Sequence, residues 1–168
     1  VLDNGIVVLV YENFTVKSVV IEGFLWAGAL SEPREKAGLA DYVSGMLMRG
    51  TQQRSLDEIY EALEAVGASL DFSAGRHLSD FSASGLAEDL DLIMELLSQS
   101  LCTPTFPANE VEQLRGEIMT GLQIRASDTR RMAGLRFREL LYDGHPYGYS
   151  VHGYPETIVQ VTRDDLVD

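Results

Sequence analysis

Cysteine is nearly missing: Cys102 is the only one in 168 residues, so no disulfide can form within the chain. Cations are scarce as well. Thirteen Lys and Arg face 26 Asp and Glu, a formal net charge of −13. Such a field repels phosphate backbones and anionic headgroups, which argues against nucleic acid as a partner and against an anionic membrane surface. It serves solubility, or it forms an acidic wall that attracts basic peptides; composition leaves both open. No apolar run approaches membrane-spanning length, so no membrane insertion is expected of this segment. No signal-peptide pattern opens the chain, because Val1-Leu2-Asp3-Asn4-Gly5 reads as the lead into a strand. A soluble protein of the cytoplasm or periplasm fits these absences.

Histidine is equally sparse. His77, His145 and His152 are the only three, in different loops and without i, i+4 spacing. A zinc site built from them with Glu110, Glu112 or Asp143 is therefore disfavoured. His145, just before Pro146, reads as a loop residue with a backbone hydrogen bond. The carboxylates Glu61/Glu64 and Glu88/Asp89/Asp91 fall on predicted helix surfaces, where solvation is the default. Ser73 and Ser79 lack a nucleophile-elbow setting. The glycines are isolated and make no phosphate loop. Asn13-Phe14-Thr15 fits a glycosylation sequon, a pattern that arises often by chance.

What the chain does contain is an apolar fraction of 45%, enough for one domain with a sizeable core. After the Asp3-Asn4-Gly5 turn, Ile6 to Tyr11 reads as a strand, and a second strand runs from about Lys17 to Leu30. Val19, Ile21 and Leu25 face one way and Val20, Phe24 and Trp26 the other, which predicts a strand covered on both sides. A helix follows over Ala37–Arg49, with Leu39, Val43, Met46 and Leu47 as its buried stripe. Asp41, Ser44, Gly45 and Met48 lie on another face, an open one that would look into an active site. Ser55-Leu56-Asp57-Glu58 is a capping box that opens a helix with the stripe Leu56, Ile59, Leu63 and Val66, stopped by Gly67. Ser69–Gly75 and His77–Gly85 read as a β-hairpin. A helix over Glu88–Cys102 is predicted to point Leu90, Ile93, Leu97 and Leu101 inward and to bury an inert Cys102 thiol. A long helical region from Asn109 to Tyr142 restarts at Ser127-Asp128-Thr129. Thr162-Arg163-Asp164-Asp165 looks like a further helix start, three residues before the chain ends.

The segment Gly38-Leu39-Ala40-Asp41-Tyr42-Val43-Ser44-Gly45-Met46-Leu47-Met48-Arg49-Gly50-Thr51 carries the most information. It resembles the zinc-binding helix of M16 (pitrilysin/insulinase-type) peptidases, whose active members read roughly G-L-A-H-x-x-E-H-M-L-x-x-G-T. Asp41 stands at the first His position, Ser44 at the Glu and Gly45 at the second His. The chemistry explains why these losses matter. Two His at i and i+4 share a helical face and hold zinc, while a Glu at i+3 reaches the bound water. Asp41 could give one oxygen, Ser44 is too weak a base, and Gly45 has no side chain. The family's third ligand, a Glu about seventy-five residues on, falls near Gly121, with Glu117 the nearest carboxylate one turn away. The degenerate positions are thus Asp41, Ser44, Gly45 and Gly121, with no catalytic or metal-binding residue in the chain.

Other pieces keep the family's order and spacing: Leu2-Asp3-Asn4-Gly5, Trp26-Ala27-Gly28-Ala29 with Glu32-Pro33, Glu64-Ala65-Val66-Gly67-Ala68, Pro104-Thr105-Phe106-Pro107, and His145-Pro146-Tyr147-Gly148. The resemblance implies an α+β fold with a mixed or antiparallel sheet packed against helices. It also implies one N-type domain over residues 1–168, belonging to the zinc-free half and cut before its last helix and strand. M16 peptidases close two similar halves around a chamber. The implied partner is accordingly a zinc-bearing half, on the same polypeptide or another, with zinc held there and peptides as substrates. The phrasing is most similar to the second half of long single-chain bacterial zinc proteases. Two alternatives stay open: a structural subunit like the M16-derived core proteins of respiratory complexes, and a free-standing enzyme with unrecognised ligands. A sheet lacking a strand also predicts self-association through its open edge.

Overall fold

Small polar residues alternating with apolar ones over Ser69–Leu86 produce the hairpin around which the sheet is built. The computed structural model describes Val1–Asp168 throughout. Three strands, β1 (Ser18–Leu25), β2 (Ser69–Ala74) and β3 (Ser79–Leu86), form an antiparallel sheet in the order β1-β3-β2. Ala83 sits opposite both Ile21 and Leu70, and Phe81 sits opposite Phe72. With a side-chain period of two, this register gathers Val19, Ile21, Leu70, Phe72, Phe81 and Ala83 on one face.

The helices α1 (Leu39–Met46), α2 (Leu56–Val66), α3 (Leu90–Cys102), α4 (Ala108–Ser127) and α5 (Thr129–Leu141) follow the pattern of local start and stop signals. Two short helices, α6 (Pro155–Ile158) and α7 (Arg163–Val167), end the chain. Ser55 Oγ accepts from the Glu58 amide, and Glu58 accepts from the Ser55 amide at 2.7 Å, the capping box expected for α2. Gly67 ends α2 at φ +63°, a left-handed conformation that glycine adopts without strain. Asp128 separates α4 from α5 by accepting from the Arg130 and Arg131 amides, each at 3.0 Å. Thr162 and Asp165 cap α7, and Lys36 pairs with Asp165, holding that carboxyl well below the usual carboxylate range.

Two apolar cores result. The first lies between the covered sheet face and α2 and α3, centred on Ile59, Leu63, Ile93, Leu96 and Leu97 with Met48. The second gathers Tyr42 and Met46 of α1, Val111, Leu114 and Leu122 of α4, and Ile158, Val161 and Leu166. α1 touches both cores. Its buried set is consequently Tyr42, Ser44 and Met46, with Leu39, Val43 and Leu47 only half-buried. The predicted stripe of Leu39, Val43, Met46 and Leu47 does pack on the second core, and Ser44 is covered as well because the helix also faces the sheet. Met48, assigned by sequence to an open face, is buried for the same reason. The helix is also shorter than Ala37–Arg49, since Gly38 and Leu47 already act as its caps.

Four further expectations are corrected. Ile6–Tyr11 is not a strand, and Leu9 and Tyr11 are each 91% exposed. β-rich composition makes a strand only where a neighbour completes the backbone ladder, and none lies beside this segment. β1 is covered on one face only. Its second face meets Ser82, Ser84 and Asp80 of β3, so Val20 and Phe24 remain exposed. β1 also stops at Leu25, because the following backbone turns to bond the hairpin bend, Ala29 to Gly75 and Leu30 to Arg76. Finally, Cys102 is exposed. The α3 stripe is Ile93, Leu96, Leu97 and Ser100, and a residue nine places after Ile93 falls on the opposite side of a helix.

Burial on one sheet face gives a direct test. Ile93→Ala is expected to lower unfolding free energy by about 2–5 kcal/mol, as core truncations do. Phe24→Ala on the open face is expected to change it by less than about 0.5 kcal/mol. Chemical denaturation of both variants measures the contrast; comparable losses would mean that both faces are covered.

Candidate functional site

The N-terminus of α1 has no cap of its own, since Gly38 carries no side chain. Glu32 supplies one from outside. Its carboxylate accepts from the Gly38 amide at 2.9 Å and from the Ala40 amide. Burial pushes the Glu32 carboxyl up, and the donated amide bonds oppose that rise. The Glu32-Pro33 piece of the sequence is thus a helix anchor.

The loop before α6 docks onto the same end. Gly38 (φ +97°) and Gly153 (φ +68°) bring their backbones together, so that a Cβ on Gly38 would stand 2.8 Å from the Gly153 Cα. A Cβ on Gly153 would collide with the Ala37 carbonyl. Thr157 Oγ1 donates to that carbonyl at 2.7 Å. From α4, Arg125 donates to Ser150 Oγ at 2.8 Å and to the Gly153 carbonyl at 3.0 Å. The loop held in this way carries His152, whose Nδ1 lies 2.9 Å from Asp41 Oδ2.

The four positions singled out in the sequence, Asp41, Ser44, Gly45 and Gly121, therefore have different surroundings. Asp41 is engaged by His152, and its carboxylate raises the His152 pKa through the hydrogen bond they share, against a smaller opposing effect of burial. Ser44 is buried, not facing an open site as the sequence suggested. Gly45 lies where α1 and α4 approach closely: an added Cβ would meet Leu114 Cδ2 at 2.9 Å. Gly121 faces open space, with nothing within 4 Å of an added Cβ. Glu117 is taken up by Arg49, Nη2 to Oε2 at 2.6 Å, and Arg49 also reaches Glu110 at 3.5 Å. Arg115 ties α4 to the C-terminal helices through the Ile158 and Val161 carbonyls and lies over the Tyr42 ring.

No three His, Cys, Asp or Glu side chains converge as a metal-binding group. His77 contacts the Tyr147 hydroxyl at 3.0 Å, and His145 Nδ1 accepts from the Tyr147 amide at 3.2 Å, the backbone bond expected for it. The Asp41–His152 pair escaped sequence reading because 111 residues separate its members and no local pattern marks either. A cleft of about 700 Å³ opens between α4, α5 and α6, lined in part by Arg34, Glu35, Arg125, Arg136, Glu139 and Tyr154. Arg136 and Tyr154 both bond Glu139 within it.

The family model of Insulinase (Peptidase family M16) matches residues 7–151. The chain belongs to peptidase family M16. An uncharacterized zinc protease of Bacillus subtilis is 23% identical over 163 residues, 97% of this chain and 40% of that protein. The mitochondrial-processing peptidase subunit beta of Rattus norvegicus is 26% identical over 167 residues, 99% of this chain and 34% of that protein. Among solved structures, a peptidase M16 inactive domain from Pseudomonas fluorescens superposes with a TM-score of 0.85 at 21% identity, covering 91% of this chain and 37% of that one. The M16 domain thus spans between a third and two-fifths of the length of these relatives, and its α+β fold is theirs. No helix is long and apolar enough to cross a membrane.

The Asp41–His152 contact makes stability pH-dependent in a defined direction. A raised folded-state pKa means the stabilisation is fully present below the unfolded value of about 6.5 and is lost as pH rises through the folded value. His152 is mostly exposed, so the effect is expected to stay below about 1 kcal/mol. Thermal melts of wild type and Asp41→Asn are expected to differ more at acidic than at alkaline pH; a gap that is constant or widens with pH would contradict this.

Proposed function

We propose that this M16 domain is a non-catalytic member of a zinc peptidase assembly, one that shapes the peptide chamber while a zinc-bearing half performs hydrolysis. The zinc half would sit on the same polypeptide or on a partner chain, and unfolded peptides would be the substrates. One observation carries the reading. The helix that resembles the zinc-binding helix of active M16 members lacks the donor set. Asp41 is paired with His152, Ser44 is buried, Gly45 packs against Leu114, and Glu117 is neutralised by Arg49.

These residues do not fit a zinc ion. A catalytic zinc takes three protein ligands and leaves one position open for water. Asp41 offers one ligand and already shares a hydrogen bond. Without metal or base, nothing in the chain makes a hydroxide nucleophile at neutral pH. A neighbouring structure is itself described as a peptidase M16 inactive domain, which agrees with this reading.

Elemental analysis of the purified protein is expected to find far less than one zinc per chain, with no change on Asp41→Ala. Peptide cleavage by the chain alone is expected to be absent. The triple change Asp41→His, Ser44→Glu and Gly45→His is expected to leave cleavage poor, because a third ligand near Gly121 is missing and a His at 45 presses on Leu114. Stoichiometric zinc lost on Asp41→Ala, or chelator-sensitive cleavage that follows the chain through purification, would overturn the proposal.

A further inference from the structure

Two arginines meet around Tyr147. Arg138 comes three residues after the buried Leu135, on the domain side of α5, and is half-buried. The turn after α5 brings Tyr142 and Tyr147 together, their ring centres 5.5 Å apart. Arg76, at the bend between β2 and β3, reaches the same place. Its guanidinium carbon lies 6.0 Å from the centre of the Tyr147 ring.

Neither arginine has an anion. Arg76 Nη1 donates to the Tyr149 carbonyl at 3.2 Å, but its Nη2 is buried without any hydrogen-bond partner. Arg138 has no carboxylate within ion-pair distance, although Arg49, Arg54, Arg115, Arg131 and Arg136 each do. Glu139, its neighbour in sequence, is taken by Arg136 and Tyr154. Burial, with the Arg138 charge nearby, pushes the Arg76 guanidinium below its ordinary pKa, against opposing effects of Tyr147, Tyr142 and Tyr154. A buried N–H left unpaired is costly, and a like charge beside it adds to the cost. In a chain of net charge −13, two neighbouring cations without an acid are out of character.

We propose that Arg76 and Arg138, set around Tyr147, form a binding site for a single carboxylate group. A planar guanidinium fork matches the two oxygens of a carboxylate. The ligand would give Arg76 Nη2 its missing acceptor and offset the repulsion between the two cations. Nη2 is covered, so the carboxylate contacts Arg138 first and the Arg76 side chain swings out to meet it. The exposed His77 and His145 flank the site, His77 Nε2 at 3.0 Å from the Tyr147 hydroxyl and the His145 ring 4.9 Å from the Tyr147 ring. A phosphate group offers similar oxygens, but its second charge is opposed by the negative field of the whole chain. This inference does not depend on any role in peptide hydrolysis.

The probe is sodium acetate, compared with sodium chloride at equal ionic strength. Nitrogen–proton spectra of the arginine side chains are expected to show the Arg76 and Arg138 signals moving saturably with acetate and not with chloride. Thermal melts are expected to show a gain in acetate for wild type that Arg138→Gln loses. Arg131→Gln, at an exposed position on the same helix, is expected to keep that gain. In chloride, Arg138→Gln is expected to melt no lower than wild type, because it relieves the repulsion on Arg76. Arg76→Lys keeps the charge but not the fork, and is expected to weaken acetate binding by roughly ten-fold. The proposal is overturned if the two signals do not respond, if Arg138→Gln gains as much from acetate as wild type, or if it melts lower in chloride. Inorganic phosphate that binds more than roughly ten-fold tighter than acetate overturns the carboxylate assignment in favour of a phosphate group.

Discussion

The close meeting of Gly38 and Gly153 is the contact on which the rest of the molecule depends. Two backbones can approach this closely only where both residues lack a Cβ, and both adopt φ values that favour glycine. Everything around the N-terminus of α1 is organised by that approach. Glu32 can cap the helix, Thr157 can reach Ala37, and Arg125 can bind the loop from α4. His152 meets Asp41 because its loop is pinned at the next residue. The start of α1 is therefore held mainly by backbone and capping contacts of Glu32, Gly38, Gly153, Thr157 and Arg125.

An anchor of this kind is what the proposed non-catalytic role requires. The side chains at 41, 44 and 45 contribute little to the anchor at the helix start. Two of them have partners elsewhere, Asp41 a hydrogen bond with His152 and Gly45 a close approach to Leu114. Arg49 and Glu117 form a further link between the end of α1 and α4. There the Glu117 carboxylate serves as an ion-pair partner that ties two helices together.

How much could be read from sequence followed the range of the interactions involved. The Ser55 box, the Gly67 stop, the restart at Asp128 and the Ser69–Leu86 hairpin depend on residues a few places apart, and all were legible. Ile6–Tyr11 was misread because composition reports a preference for strand, while a ladder needs a second chain segment. Cys102 was misplaced because the α3 stripe includes Leu96 and Ser100, which shifts the inward direction away from residue 102. Ser44 and Met48 were misassigned because periodicity finds one apolar stripe and does not show that the sheet covers a second side of α1. The family itself was legible from ordered motifs, since their spacing is set by the same anchors that the structure displays.

Met46 belongs to the core around α4, and Met48, two residues later, belongs to the core beneath the sheet. A single turn of chain thus enters both. A change of direction at this turn would move a side chain in each core at once, so the end of α1 sets the spacing between the two.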